Sequence, residues 1–102
     1  MVNVKIYNNM ISALGHADTQ ACARVSTVLQ LCMKLLYNKI TKKEVDNGIT
    51  VLTFDTKMTK QENFIYDTIC QSLIELSEIY IGTMKLEDNR IIEKENKHGK
   101  TN

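Results

Sequence analysis

The sequence predicts a small α+β domain of order β-β-α-β-β-α, with a short final strand, in which two helices pack on one face of an antiparallel or mixed sheet. Three observations carry this. Val2, Val4 and Ile6 alternate with Asn3, Lys5 and Tyr7, the period of a strand with one buried face. Asp46-Asn47-Gly48 stands directly before the β-rich run Ile49 to Phe54, and Asn-Gly is a strong hairpin signal. Thr59-Lys60-Gln61-Glu62 is a capping box ahead of apolar residues at helical spacing.

Taken along the chain, Asn8-Asn9 suits the tight turn after the first strand, and Met10 to Leu14 return as a second. Gly15 ends that run. From about Thr19 the period changes to that of a helix, with Val25, Leu29, Cys32 and Leu36 on one stripe and Val28, Met33 and Leu35 widening it. Asp18 or Thr19 can cap its start, and the helix is expected to end near Tyr37-Asn38. After the hairpin, Ile49, Val51 and Thr53 face one way and Thr50, Leu52 and Phe54 the other. The second helix carries Ile65, Ile69, Leu73, Leu76 and Tyr80, and Gly82 stands where a helix C-terminus favours glycine. Thr83 to Leu86 form the short final strand. The polar, charged stretch that follows predicts one domain over residues 1–88 and a disordered tail over 89–102.

Composition narrows the function classes. The chain has 102 residues, enough for one core, with 43% hydrophobic and 25% charged residues. A formal charge of +1 supplies no basic stripe for direct nucleic-acid binding. No apolar run approaches the roughly 20 residues of a membrane span, and the start of the chain does not read as a secretion signal. Cys22, Cys32 and Cys70 are odd in number, which predicts reduced thiols in the cytoplasm. No CxxC pair, glycine-rich phosphate loop or carboxylate pair beside a histidine is present, so no metal or cofactor is expected.

The chemistry-bearing residues gather around one corner. His16 follows Gly15 at a strand end, Cys22 comes six residues later at a helix start, and Ser26 is one turn further on. A helix N-terminus offers partial positive charge and free N–H groups, which favour a thiolate over a thiol. A neighbouring histidine can take the thiol proton and return it to a leaving amine, while the free amides hold an oxyanion. The plainer readings stand beside this one. Buried cysteines usually only pack, which is how Cys32 and Cys70 read. Asp18 orients His16 or simply caps the helix, Ser26 supports the site or bonds its own backbone, and His98 sits inert in the tail.

Gly15-His16-Ala17 followed by Cys22-Ala23-Arg24-Val25-Ser26 resembles the motif of the ribosomal-processing cysteine proteases, the Prp family. The Asp46-Asn47-Gly48 hairpin, the stretch from Gln71 to Tyr80 and the element order are also similar, over residues 2 to 88. The resemblance implies a cytoplasmic homodimer acting on protein substrates. Those would be a short N-terminal extension of a large-subunit ribosomal protein, or a phage capsid or scaffold protein. It makes Cys22 the nucleophile and His16 the general base, with Ser26 and Asp18 in support. Family members carry a longer loop between His and Cys, where this chain has only Ala17-Asp18-Thr19-Gln20-Ala21, and a small residue where it has Arg24. The short loop motivates the alternative of a non-catalytic Prp-like module that docks a ribosomal or phage protein without cutting it. A third reading is a structural subunit, its dimer interface formed by exposed Leu35, Leu36 and Tyr37.

Overall fold

A computed structural model describes residues 1–15 and 19–91 of the chain. They form β1 (Val2–Tyr7), β2 (Met10–Leu14), α1 (Thr19–Leu35), β3 (Ile40–Asp46), β4 (Ile49–Phe54), α2 (Lys60–Ile79) and β5 (Met84–Asp88). The five strands make one mixed sheet in the order β3-β4-β2-β1-β5. Neighbours run antiparallel except β1 and β5, which are parallel, with Val2 opposite Met84. The predicted order and class are those observed.

Register explains the core. Val4 lies opposite Ala13 and Ile6 opposite Ile11, and Ile11 lies opposite Leu52 across β2 and β4. Ile6, Ile11 and Leu52 are fully buried on the face that both helices cover. Thr50, Leu52 and Phe54 therefore point to the helices, and Ile49, Val51 and Thr53 to the open face. The helices contribute Val25, Leu29, Cys32 and Leu36 from one side and Tyr66, Ile69, Cys70 and Leu73 from the other. Each wholly buried aliphatic side chain of this kind is worth roughly 1.5–3 kcal/mol of transfer free energy. Cys32 and Cys70 are core residues, and burial pushes both thiols up to about 12.

Two elements depart from the sequence reading. Helix α1 ends at Leu35 rather than at Tyr37-Asn38, and a single 3-10 turn spans Tyr37–Lys39. Leu36 N–H still donates to Cys32 O at 2.9 Å, but Lys39 N–H donates to Leu36 O at 2.9 Å, one residue tighter than an α-helix. Leu36 is 1% exposed, which removes it from the expected dimer surface, while Leu35 and Tyr37 remain exposed. The other departure is β3, a seven-residue edge strand of which only the hairpin end was legible. Its sequence, Ile-Thr-Lys-Lys-Glu-Val-Asp, is almost wholly exposed and so lacks the alternation that betrays a half-buried strand.

The end of the sheet that carries the β1–β2 turn is heavily bonded. The Tyr66 hydroxyl donates to Tyr7 O and lies 3.1 Å from Met10 O, and its ring meets Phe54 edge-on with centroids 5.2 Å apart. Thr59 and Glu62 form the predicted capping box at the start of α2. Beyond β5, the Asn8 side chain both donates to Ile91 O and accepts from Ile91 N–H. Arg90 bonds Asp88 twice, at 2.9 and 2.8 Å, and reaches Asp67 at 3.4 Å. These contacts hold residues 89–91 against the domain; residues 92–102, with His98, lie outside the described residues.

Candidate active site

The opposite end of the sheet is where α1 begins. Gly15 closes β2 with φ of +99°, and a Cβ there would collide with the Met1 carbonyl oxygen. Only glycine tolerates both the left-handed backbone and that approach. The Gly15 N–H donates to Gly48 O at 2.8 Å, which ties the end of β2 to the β3–β4 hairpin. The hairpin turn is itself built by Gly48 at φ +77° and by the Asp46 carboxylate, which accepts from the Asn47 N–H at 2.7 Å.

Between this hairpin and the first turns of α1 lies a cavity of about 250 Å³, walled by Val2, Cys22, Ser26, Asp46, Gly48 and Ile49 among others. Cys22 is the fourth residue of α1 and is half-buried, whereas Cys32 and Cys70 are buried. Ser26, one turn on, faces the same space. The structure thus brings Cys22 and Ser26 together on one wall, at the opening of α1. His16, Ala17 and Asp18 lie outside the described residues, and so does the side chain of Thr19. The expected meeting of His16 with Cys22, and the roles of Asp18 as orienter or of Asp18 or Thr19 as cap, fall there.

Sequence reasoning missed the far wall of this cavity. Asp46, Gly48 and Ile49 were legible only as a turn and the strand after it, and Val2 only as the start of a strand. Their meeting with Cys22 depends on β4 pairing with β2, so that Ile49 comes opposite Leu14. That pairing joins residues 35 positions apart, and no local period records it. Among the described residues no cluster of His, Cys, Asp or Glu has the makings of a metal site, and no helix is long and apolar enough to cross a membrane.

The fold recurs in known structures. The ribosomal processing protease Prp from S. aureus, solved with a covalently linked product peptide, superposes with a TM-score of 0.76 over 87% of this chain and 100% of its own, at 20% sequence identity. The same protease with a substrate peptide gives 0.76 at 19% identity, again over 87% of this chain and 100% of its own. The fold is that of the Prp proteases. A Streptococcus mutans protein of known structure shares the Prp-like fold, with a TM-score of 0.68 at 13% identity, covering 88% of this chain and 96% of its own. No protein-family model and no curated protein matches the sequence. The Prp-like fold is therefore carried by spatial arrangement at an identity where most side chains have changed.

Proposed function

We propose that this chain is a cysteine endopeptidase of the Prp type, with Cys22 as nucleophile and His16 as general base. The observation that carries the reading is the position of Cys22: half-buried, in the opening turn of α1, on the wall of a cavity, within a Prp-like fold. His16 takes the proton from Cys22 Sγ, and the sulfur attacks the scissile carbonyl carbon. Amides of the opening turn of α1 hold the oxyanion. His16 then protonates the leaving amine as the C–N bond breaks, leaving a thioester on Cys22. Water, deprotonated by His16, hydrolyses that thioester and restores the thiol. Asp18 orients His16, and Ser26 supports the site from the next turn of the helix.

The substrate class is a protein segment cut near its N-terminus. Both S. aureus structures belong to a ribosomal processing protease, one holding a substrate peptide, and this weighs toward the N-terminal extension of a large-subunit ribosomal protein. The protein then acts in the cytoplasm as a homodimer, with neither nucleic acid nor membrane as direct partner. Incubation with such an extension peptide tests the reading. The wild type is expected to cut it and Cys22→Ala to leave it intact; cleavage by both, or by neither, counts against the assignment. The five-residue spacing between His16 and Cys22 favours one second reading, a module that binds the same peptide without cutting it. Peptide affinity without turnover by the wild type is its mark.

A further inference from the structure

The cavity beside Cys22 is one end of a longer seam. Helix α1 does not cover the edge strand β3, whose residues are almost all exposed. A second cavity, of about 390 Å³, opens further down the same side, between Met33 and Tyr37 on one wall and Ile40, Lys42 and Lys43 on the other. The two are successive. Leu29 lines the first and Met33 the second, one helical turn apart. Val45 lines the first and Lys43 the second; they are two residues apart on β3, opposite Thr50 and Leu52, on the side facing the helices.

The seam has a charge direction. Asp46 stands at the Cys22 end. Lys42 and Lys43 stand at the other, and among the described residues neither is bonded to an acidic partner. Glu44 lies opposite Val51 and so projects to the open face, away from the seam. Lys42 lies opposite Thr53, on the open-face side of the strand, and borders the same cavity next to the register irregularity between Ile40 and Lys42. The stretch of α1 from Cys22 to Met33 is about 16 Å long at 1.5 Å per residue, which an extended peptide covers in about five residues.

We propose that the α1–β3 seam holds the substrate as an extended segment and that Lys43, on the helix-facing side with Lys42 adding its charge beside it, selects an acidic residue about five positions from the scissile bond. This rests on the endopeptidase reading for the scissile bond, but the charge selection is measured independently of cleavage. Fluorescein-labelled peptides with an apolar centre carry either Glu or Lys about five positions to one side of it or the other. Their affinities for the full chain bearing Cys22→Ala are read by anisotropy. The Glu peptide of one pair is expected to bind roughly threefold to tenfold tighter than its Lys counterpart. The gap should shrink as salt rises, and the order should invert in a chain that also carries Lys42→Glu and Lys43→Glu.

Equal affinities in both pairs, a preference that survives the charge reversal, or no binding of any peptide overturns the seam proposal. Its failure is distinct from that of the endopeptidase reading. Cleavage by the wild type without charge preference sinks only the seam, while charge-dependent binding with no cleavage sinks only the protease.

Discussion

The two ends of the sheet are built on opposite principles. At the β1–β2 turn, side chains carry much of the bonding: the Tyr66 hydroxyl lies against two carbonyls, Asn8 clamps the chain after β5, and Arg90 ties Asp88 to Asp67. At the Gly15 end the backbone carries the organisation. One bond from Gly15 to Gly48 and one from Val2 to Thr83 O fix the strand ends, and a cavity is left open between helix and hairpin. The first end is the anchor that lets the second stay hollow, because a site needs unfilled space and unfilled space gives up packing energy.

If this contrast holds, substitutions at the two ends should separate function from stability. Cys22→Ala should lower peptide cleavage by several orders of magnitude while moving the folding free energy by no more than about 1 kcal/mol, since the side chain is half-buried. Turnover assays beside urea unfolding measure both. Gly15→Ala should cost about 2–3 kcal/mol and suppress cleavage too, because strain at φ +99° is joined by collision with Met1. Gly82→Ala provides the control. It has φ of +96° but nothing within 4 Å of the added carbon, so its cost should be nearer 1 kcal/mol.

At the anchored end the effects should be on stability alone. Tyr66→Phe removes the hydroxyl that the Tyr7 and Met10 carbonyls share and should cost about 1–2 kcal/mol, with turnover unchanged; lost turnover at full stability would break the contrast. Asp88→Asn should have the smallest effect, under about 1 kcal/mol, because its pairs are close to solvent. Arg90 beside it holds the Asp88 carboxyl below the usual carboxylate range. A lowered folded value contributes stability above the unfolded value, near 4, that is lost as pH falls through the folded one. The wild type should therefore lose slightly more stability than Asp88→Asn on acidification, which acid titration of the unfolding midpoint checks.

How legible each part was in the sequence follows from the range of the interactions that make it. The capping box at Thr59 and Glu62, the alternation of β1 and the apolar stripes of both helices are local, and each appeared where its period predicted. The extent of the edge strand β3 beyond its hairpin end was hidden because exposure erases the pattern that a buried face imprints. Leu36 illustrates the converse: it stands both on the apolar stripe of α1 and on the expected dimer surface, and the stripe prevails because the tight turn at Tyr37–Lys39 leaves it on the core side. At the site, the Cys22 wall was legible because Cys22 and Ser26 are one turn apart on a single helix. The hairpin wall was not, because strand pairing across the domain creates it.

The parallel pairing of β1 with β5 has a temporal consequence. Val2, one wall of the cavity, gains its neighbour Met84 only after nearly the whole domain has been synthesised. Non-local pairing of this kind forms late and slowly. A nascent chain therefore carries its cysteine for most of translation without the finished cleft around it, and the cavity is complete only with the last strand.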